Sequence, residues 1–277
     1  MRKSMLTTGS MALLGLFCTG LAASSVWAEE EKPTADLSVS ALSKYVWRGF
    51  ELSKDSIVLQ PSMTVGYKGF GFNLWGNLDT DLHDSFRYDD DGNETTDSWT
   101  ETDMTISYDG SCNFADYGVG YIYYSLDGLE DTQEVYVSAT LKTLLSPSLA
   151  IYRDFDSLPG WYLTLGVSHS FAINEKLNLD LGAQVSYLYS DDDSSYSEMT
   201  LDANGDWVAT GDAYRDFHDG RLSASMSFPL GEYFSLTPEI YYSFPLSSEA
   251  DDLLESASVN GSDSDFVYGG VTLSMSF

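Results

Sequence analysis

From about residue 35 to its end the chain alternates. Apolar and polar residues exchange places at almost every step through twelve segments: 35–50, 57–67, 70–80, 101–109, 116–126, 132–142, 147–153, 161–172, 177–190, 217–228, 234–245 and 265–277. A period of two sends successive side chains to opposite faces, the signature of a strand with two different environments. In the last segment Val267, Gly269, Val271, Leu273, Met275 and Phe277 share one face, while Tyr268, Thr272, Ser274 and Ser276 share the other. The segment 132–142 sets Val135, Val137, Ala139 and Leu141 against Glu134, Ser138, Thr140 and Lys142. Most segments run ten to fourteen residues. Soluble strands are commonly ~5–6 residues, whereas a tilted strand needs about 9–11 to cross a bilayer.

The connections and strand ends add a second pattern. Links after the even-numbered segments are short, including Lys68-Gly69 and the stretches 109–115, 143–146, 174–176 and 229–233. Those after the odd-numbered ones are generally long and acidic, as in 81–100, 190–216 and 246–264, except for a short link at 51–56. Aromatic residues gather at both ends. Tyr45, Trp47, Trp161, Tyr189, Tyr242 and Phe244 lie toward the long loops, and Tyr67, Phe70, Phe72, Tyr108, Phe171, Phe228, Phe234 and Phe277 toward the short turns. Two aromatic girdles around an aliphatic band fit a bilayer. The expected fold is all-β: a transmembrane, up-and-down antiparallel β-barrel of about twelve strands, with both mature termini on the short-turn, periplasmic side. Pro61 and Pro238 fall inside predicted strands, where each removes a ladder donor and sits badly; a bulge near each would resolve this. His169 falls on the nominal lipid face.

The first residues read as an export signal. Arg2 and Lys3 precede a short apolar run at 11–23, and Val26-Trp27-Ala28 offers a cleavage point after Ala28. The domain reading is a secretory signal at 1–28 and a barrel at 29–277. The chain carries 43 acids against 13 lysines and arginines, a formal net charge of −30. Nucleic acid is excluded as a partner, because phosphate binding needs clustered bases. Of the two cysteines only Cys112 survives processing, and no metal-type Cys/His spacing occurs.

The run Ser43-Lys44-Tyr45-Val46-Trp47-Arg48-Gly49-Phe50, followed by Gln60-Pro61-Ser62 and Gly71-Phe72-Asn73-Leu74-Trp75-Gly76-Asn77-Leu78-Asp79, resembles the TorF-type porin family. That family's start carries an aromatic-Arg-Gly motif, then a Gly-rich strand ending near Asn/Asp. Glu101 and Asp103 match an acidic pair opening a later strand. The resemblance is clearest over 35–125; Trp47 stands where the family often has Phe. It implies an outer-membrane pore and no catalytic residues. Phe277 at the end of an alternating strand resembles the tail read by the barrel-assembly machinery.

The inward row supplies candidate pore-lining residues: Lys44, Arg48, Asn73, Asn77, Asp79, Glu101, Asp103, Glu134, Asp180, Gln184, Arg221 and Glu239. Charges of both signs on facing walls select ions in a pore; the alternative is a plugged interior of mutually satisfied charges. Arg48 is expected on the wall, bridging Asp79 and Asp103 through sequential pairing of early strands. Net acidity favours cations at the mouth. The acidic loops hold oxygen ligands at alternate positions, Asp89 and Asp91 in one and Asp202, Asn204 and Asp206 in another, but neither completes a calcium loop. Solvated loop acids are the simpler reading; divalent ions bridging them to lipopolysaccharide are the other. The expected role is passive diffusion of small solutes or ions across the bacterial outer membrane, without a cofactor. A surface receptor or adhesin working through its loops is the alternative. A lipid hydrolase is a weaker one: His83 and Ser85 share a face at the entry to a long loop, while the adjacent His169 and Ser170 point oppositely.

Overall fold

The computed structural model describes residues 32–81, 98–174, 176–259 and 263–277. The expected signal segment and the loop acids with His83, Ser85, Asp89 and Asp91 lie outside the described residues. In chain order come β1 (Thr34–Leu42), β2 (Val46–Trp47), β3 (Phe50–Glu51), β4 (Val58–Tyr67), β5 (Phe70–Asp79) and β6 (Trp99–Ser111). Then follow β7 (Ala115–Leu126), β8 (Thr132–Leu141), β9 (Ser148–Asp154), β10 (Gly160–Ala172) and β11 (Asn178–Ser190). The last third holds β12 (Ser197–Leu201), β13 (Trp207–Ala213), β14 (Arg215–Met226), β15 (Phe228–Leu230), β16 (Phe234–Pro245), a helix α1 (Ser248–Ala257) and β17 (Phe266–Ser276).

Twelve of the long strands make one closed antiparallel barrel. Each pairs with its sequence neighbour, β1 pairs with β17, and β14 pairs with β16 across the intervening β12–β13 excursion. Closure matters because an open edge would leave a row of unpaired N–H and C=O groups in hydrocarbon. The expected faces hold. Val137, Leu165, Leu222, Ile240, Val267 and Leu273 stand exposed on the outer wall, whereas Glu101, Asp103, Thr105, Glu134 and Glu239 are buried inside. Among the described residues no helix is long and apolar enough to cross a membrane.

Four features depart from the alternation. The first expected segment ends eight residues early: the chain leaves the ladder after Leu42, and 43–57 turns inward as the β2–β3 hairpin. The link on that side is therefore long, and Tyr45 and Trp47 belong to the interior instead of the outer girdle. Second, the prolines sit in gaps, without bulges. Pro61 lies opposite Val39 of β1, and the β4–β5 ladder skips it and resumes in the same register from Ser62↔Trp75. Pro238 pairs with Val271 of β17 and faces the break between β14 and β15 on its other side. Third, the real bulges are elsewhere. One sets Thr100 as an extra residue of β6 opposite the Asn77–Leu78 step, and one sets His218 and Asp219 of β14 opposite Ser186 alone. Fourth, two acidic connections fold: β12 pairs with β13, and α1 is capped by Ser247 Oγ, which accepts from Ala250 N–H at 3.1 Å.

Val137, in the middle of β8 and 52 % exposed on the outer wall, tests the environment of that wall. Val137→Arg is expected to destabilise the barrel by about 2–4 kcal/mol in lipid vesicles, as charge does near a bilayer midplane. Urea titration of the folded fraction measures it, and a change within ~0.5 kcal/mol, the range of an ordinary surface substitution, speaks against hydrocarbon there.

Candidate functional site

The inward hairpin is specified by its tip. Arg48 and Gly49 both have positive φ, 49° and 84°, as a two-residue type I′ turn requires. At Gly49 a Cβ would meet Asp219 Cβ at 3.0 Å and the Leu254 methyls at 3.1 and 3.2 Å, so wall and helix close tightly around the turn. The hairpin stem is tied by Leu52 N–H to the Tyr45 carbonyl, 2.8 Å, and by Tyr45 N–H to Ser53 Oγ, 2.7 Å. Lys44 bonds Glu51, which also accepts from Ser258 Oγ at 2.9 Å, joining the hairpin to the segment after α1.

Arg48 is therefore a plug residue, not a wall residue. Its guanidinium donates to Glu134 Oε2 of β8 at 2.7 Å, and the expected bridge to Asp79 and Asp103 is not formed. The guanidinium carbon lies 4.4 Å from the ring centres of Trp47 and Tyr162 and 5.1 Å from that of Tyr152. Such faces attract a cation strongly once water is removed. Tyr136, Tyr152 and Tyr162 are cross-strand partners on β8, β9 and β10 and form a continuous inward row. The Arg48 carbonyl accepts from His218 Nε2 at 2.9 Å. His218 can do this only because the β14 bulge turns it inward together with Asp219.

The other proposed lining residues fall as follows. Asn73, Asn77, Asp79, Glu101, Asp103, Glu134 and Glu239 are buried and face the interior; Asp180, Gln184 and Arg221 are half-buried on that face. Lys44, like Arg48, lies on the hairpin. The acids have a consistent solution for burial. The Tyr45 hydroxyl donates to Glu101 at 2.9 Å, that of Tyr124 to Glu134 at 2.8 Å, that of Tyr162 to Asp219 at 2.7 Å, and that of Tyr241 to Glu239 at 2.7 Å. A chain poor in bases satisfies its inner carboxylates with phenols.

At the long-loop end the mouth is packed. Phe50, Tyr162, Leu188, Tyr214, Ala250, Leu253 and Leu254 form one apolar cluster, with Tyr196 and Met199 against it. Beneath the hairpin remains a cavity of about 100 Å³, lined in part by Arg48, Tyr152, Tyr162, Thr164, Gln184 and Arg221. Sequence reasoning missed His218, Asp219 and the tyrosine row. One signal was present: Phe217 and Leu222 both face outward, an odd separation that strict alternation forbids and a bulge permits.

The candidate metal loop that is described is a hairpin turn. Asp202 accepts from Asn204 N–H at 2.7 Å and Asp206 N–H at 3.0 Å, and Gly205 has φ 88°. These amide donors hold the Asp202 carboxyl below the ordinary aspartate range. Among the described residues no group of three or more His, Cys, Asp or Glu is placed to hold a metal. His169 on the outer face donates from Nδ1 to the Leu144 carbonyl at 2.7 Å and packs edge-on against Phe171. Cys112 lies in the turn after β6, its Sγ 3.2 Å from the Ala115 carbonyl. Phe277, 62 % exposed, ends the chain with its backbone paired to Ala35.

No protein-family model matches the chain, and no curated protein does. Solved structures do. The COG4313 outer membrane channel from Pseudomonas putida F1 aligns over 90 % of this chain and 97 % of its own, at 10 % identity and a TM-score of 0.47. LpxR from Salmonella typhimurium aligns over 89 % and 99 %, at 7 % identity and 0.42. Pseudomonas putida OprB aligns over 83 % and 61 %, at 11 % identity and 0.35. The likeness goes no further than barrel form. The closed ladder and its apolar exterior themselves make the chain an outer-membrane barrel of the bacterial type.

Removing one member of the buried Arg48–Glu134 pair leaves the other's charge without its partner, which costs about 3–5 kcal/mol. Arg48→Ala is expected to lose that much stability in urea refolding, and Arg48→Met with Glu134→Gln to recover most of it. A single variant within ~0.5 kcal/mol of wild type, the range of a surface change, removes Arg48 as the hairpin's anchor.

Proposed function

We propose that this protein is an outer-membrane channel for passive diffusion of small solutes or ions, narrowed by the 43–57 hairpin and weakly selective for cations. The observation that carries the reading is the polar interior. A closed twelve-stranded barrel keeps two guanidiniums, Arg48 and Arg221, among a larger set of inward carboxylates, with a cavity beneath the hairpin tip. A barrel of this strand number lies between filled eight-stranded and open sixteen-stranded ones, so one folded loop controls its bore. Excess inward and loop acid raises the local concentration of cations. Outer-membrane lipid and lipopolysaccharide surround the barrel in this reading, and the terminal Phe277 strand is its assembly signal. The Arg48-Gly49 tip is also the motif that supports kinship with TorF-type porins.

A second reading rests on the packed mouth. The apolar cluster joining the hairpin, α1 and the β12–β13 hairpin makes a lid whose outer surface serves a surface receptor or adhesin. Planar-bilayer recording separates the two. The wild type is expected to give small conductance steps with a cation-shifted reversal potential in a salt gradient. A variant with 44–56 replaced by a Gly-Ser linker is expected to conduct several-fold more. A silent wild type with a conducting variant favours the receptor; silence in both overturns the channel.

A further inference from the structure

Among the described residues each buried inward acid of the wall accepts from a hydroxyl, backbone-amide or guanidinium donor, with one exception. Asp103 is fully buried, and its carboxyl oxygens have no partner other than the Glu101 carboxyl in hydrogen-bond contact with it. Beside it are two neutral groups. Thr105 Oγ1 and Asn73 Oδ1 are buried without a partner. Thr105 is two residues along β6 from Asp103 and so on the same face. Asn73 is its direct cross-strand partner on β5. The Asn73 amide is oriented by its nitrogen, which donates to Ser62 Oγ at 2.9 Å, Thr64 Oγ1 at 2.8 Å and the Met63 carbonyl at 3.2 Å. A carbonyl only accepts, so nitrogen must face β4, and the amide oxygen is turned away from it, toward β6. The charged groups that act on Asp103 are acids, Glu101 beside it and Glu134. The nearby bases are engaged elsewhere, Arg48 with Glu134 and Lys44 with Glu51.

We propose that Asp103, Glu101, Thr105 and Asn73 form a lumenal binding site for one hard divalent cation of the Ca²⁺ type. A carboxylate out of water requires a counter-charge or donors, and Asp103, with the unpartnered oxygens of Thr105 and Asn73 beside it, has no base and no hydroxyl or amide donor, which makes it complementary to a cation. Every ligand atom is oxygen, which selects hard ions. Two carboxylates match a double charge. Mixed carboxylate, hydroxyl and amide oxygens on two strands suit the irregular shell of Ca²⁺ better than the strict octahedron of Mg²⁺. The site lies two strands from the Arg48–Glu134 lock, with β7 between them, where a cation would fasten β5 and β6 beneath the hairpin. It requires only the closed barrel and stands whether or not the lumen conducts.

Tb³⁺, a luminescent substitute for Ca²⁺, tests the site in the full mature barrel refolded in detergent. Trp75 is the cross-strand partner of Asp103 and faces inward against Tyr45, ring centres 5.7 Å apart, so it serves as the antenna. Indole excitation is expected to give saturable Tb³⁺ emission that Ca²⁺ displaces. Asp103→Asn should weaken that binding at least tenfold, and Thr105→Val several-fold. Trp75→Phe should lose the emission while calorimetry still finds Ca²⁺ bound. Folded-barrel mobility on a gel checks each variant, and Asn73→Leu replaces Asp103→Asn if the latter does not fold. Wild-type affinity in the folded Asp103 or Asn73 variant overturns the proposal. So does a wild type without a saturable, Ca²⁺-displaceable site, the result expected if Glu101 and Asp103 merely share a proton.

Discussion

Hydrocarbon offers no partner to a peptide N–H or C=O, and this single constraint organises the molecule. Every backbone group at membrane depth has to be bonded within the protein, so the strands form a ring with no free edge. The ring then dictates the side chains. Outward positions meet lipid and are apolar, while inward positions meet each other and water and are free to be polar. Closure also moves a second accounting problem inside, because polar groups lining a narrow barrel must in turn find partners.

This chain meets that problem with few bases. Four tyrosine hydroxyls, from Tyr45, Tyr124, Tyr162 and Tyr241, donate to four inward carboxylates, and one arginine enters from a hairpin tip to bond Glu134. The hairpin is held by what surrounds Arg48: aromatic faces on two strands, a carboxylate on a third, and His218 supplied by a bulge. Charge, aromatic contact and backbone geometry thus act on one residue. Its removal from the wall position that alternation suggests is what narrows the lumen.

The limits of legibility follow from particular residues. Lys68-Gly69 and Arg48-Gly49 use the same turn chemistry, with both φ values positive. The first was readable because alternating strands flank it on both sides. The second was absorbed into a segment whose Tyr45, Val46, Trp47 and Phe50 look like wall residues. A reading by period cannot tell an aromatic face turned to lipid from one packed against an arginine inside the barrel. Likewise, Asp202, Asn204 and Asp206 have ligand-like spacing, but the amides of a hairpin already occupy the Asp202 carboxylate. Pro61 and Pro238 suggested bulges, whereas the ladder simply skips a rung at each.

Alternation, segment length and the short-turn, long-loop rhythm determined the barrel, its strand number and the two faces of its wall, because these are local consequences of a two-residue repeat. Which inward residues meet was decided by tertiary structure alone. Arg48 reaches Glu134, and Asp103 is left with only another acid beside it, because strand register, one extra residue in β14 and a chain that folds inward bring distant positions together. None of those distances is written in the spacing of residues along the chain.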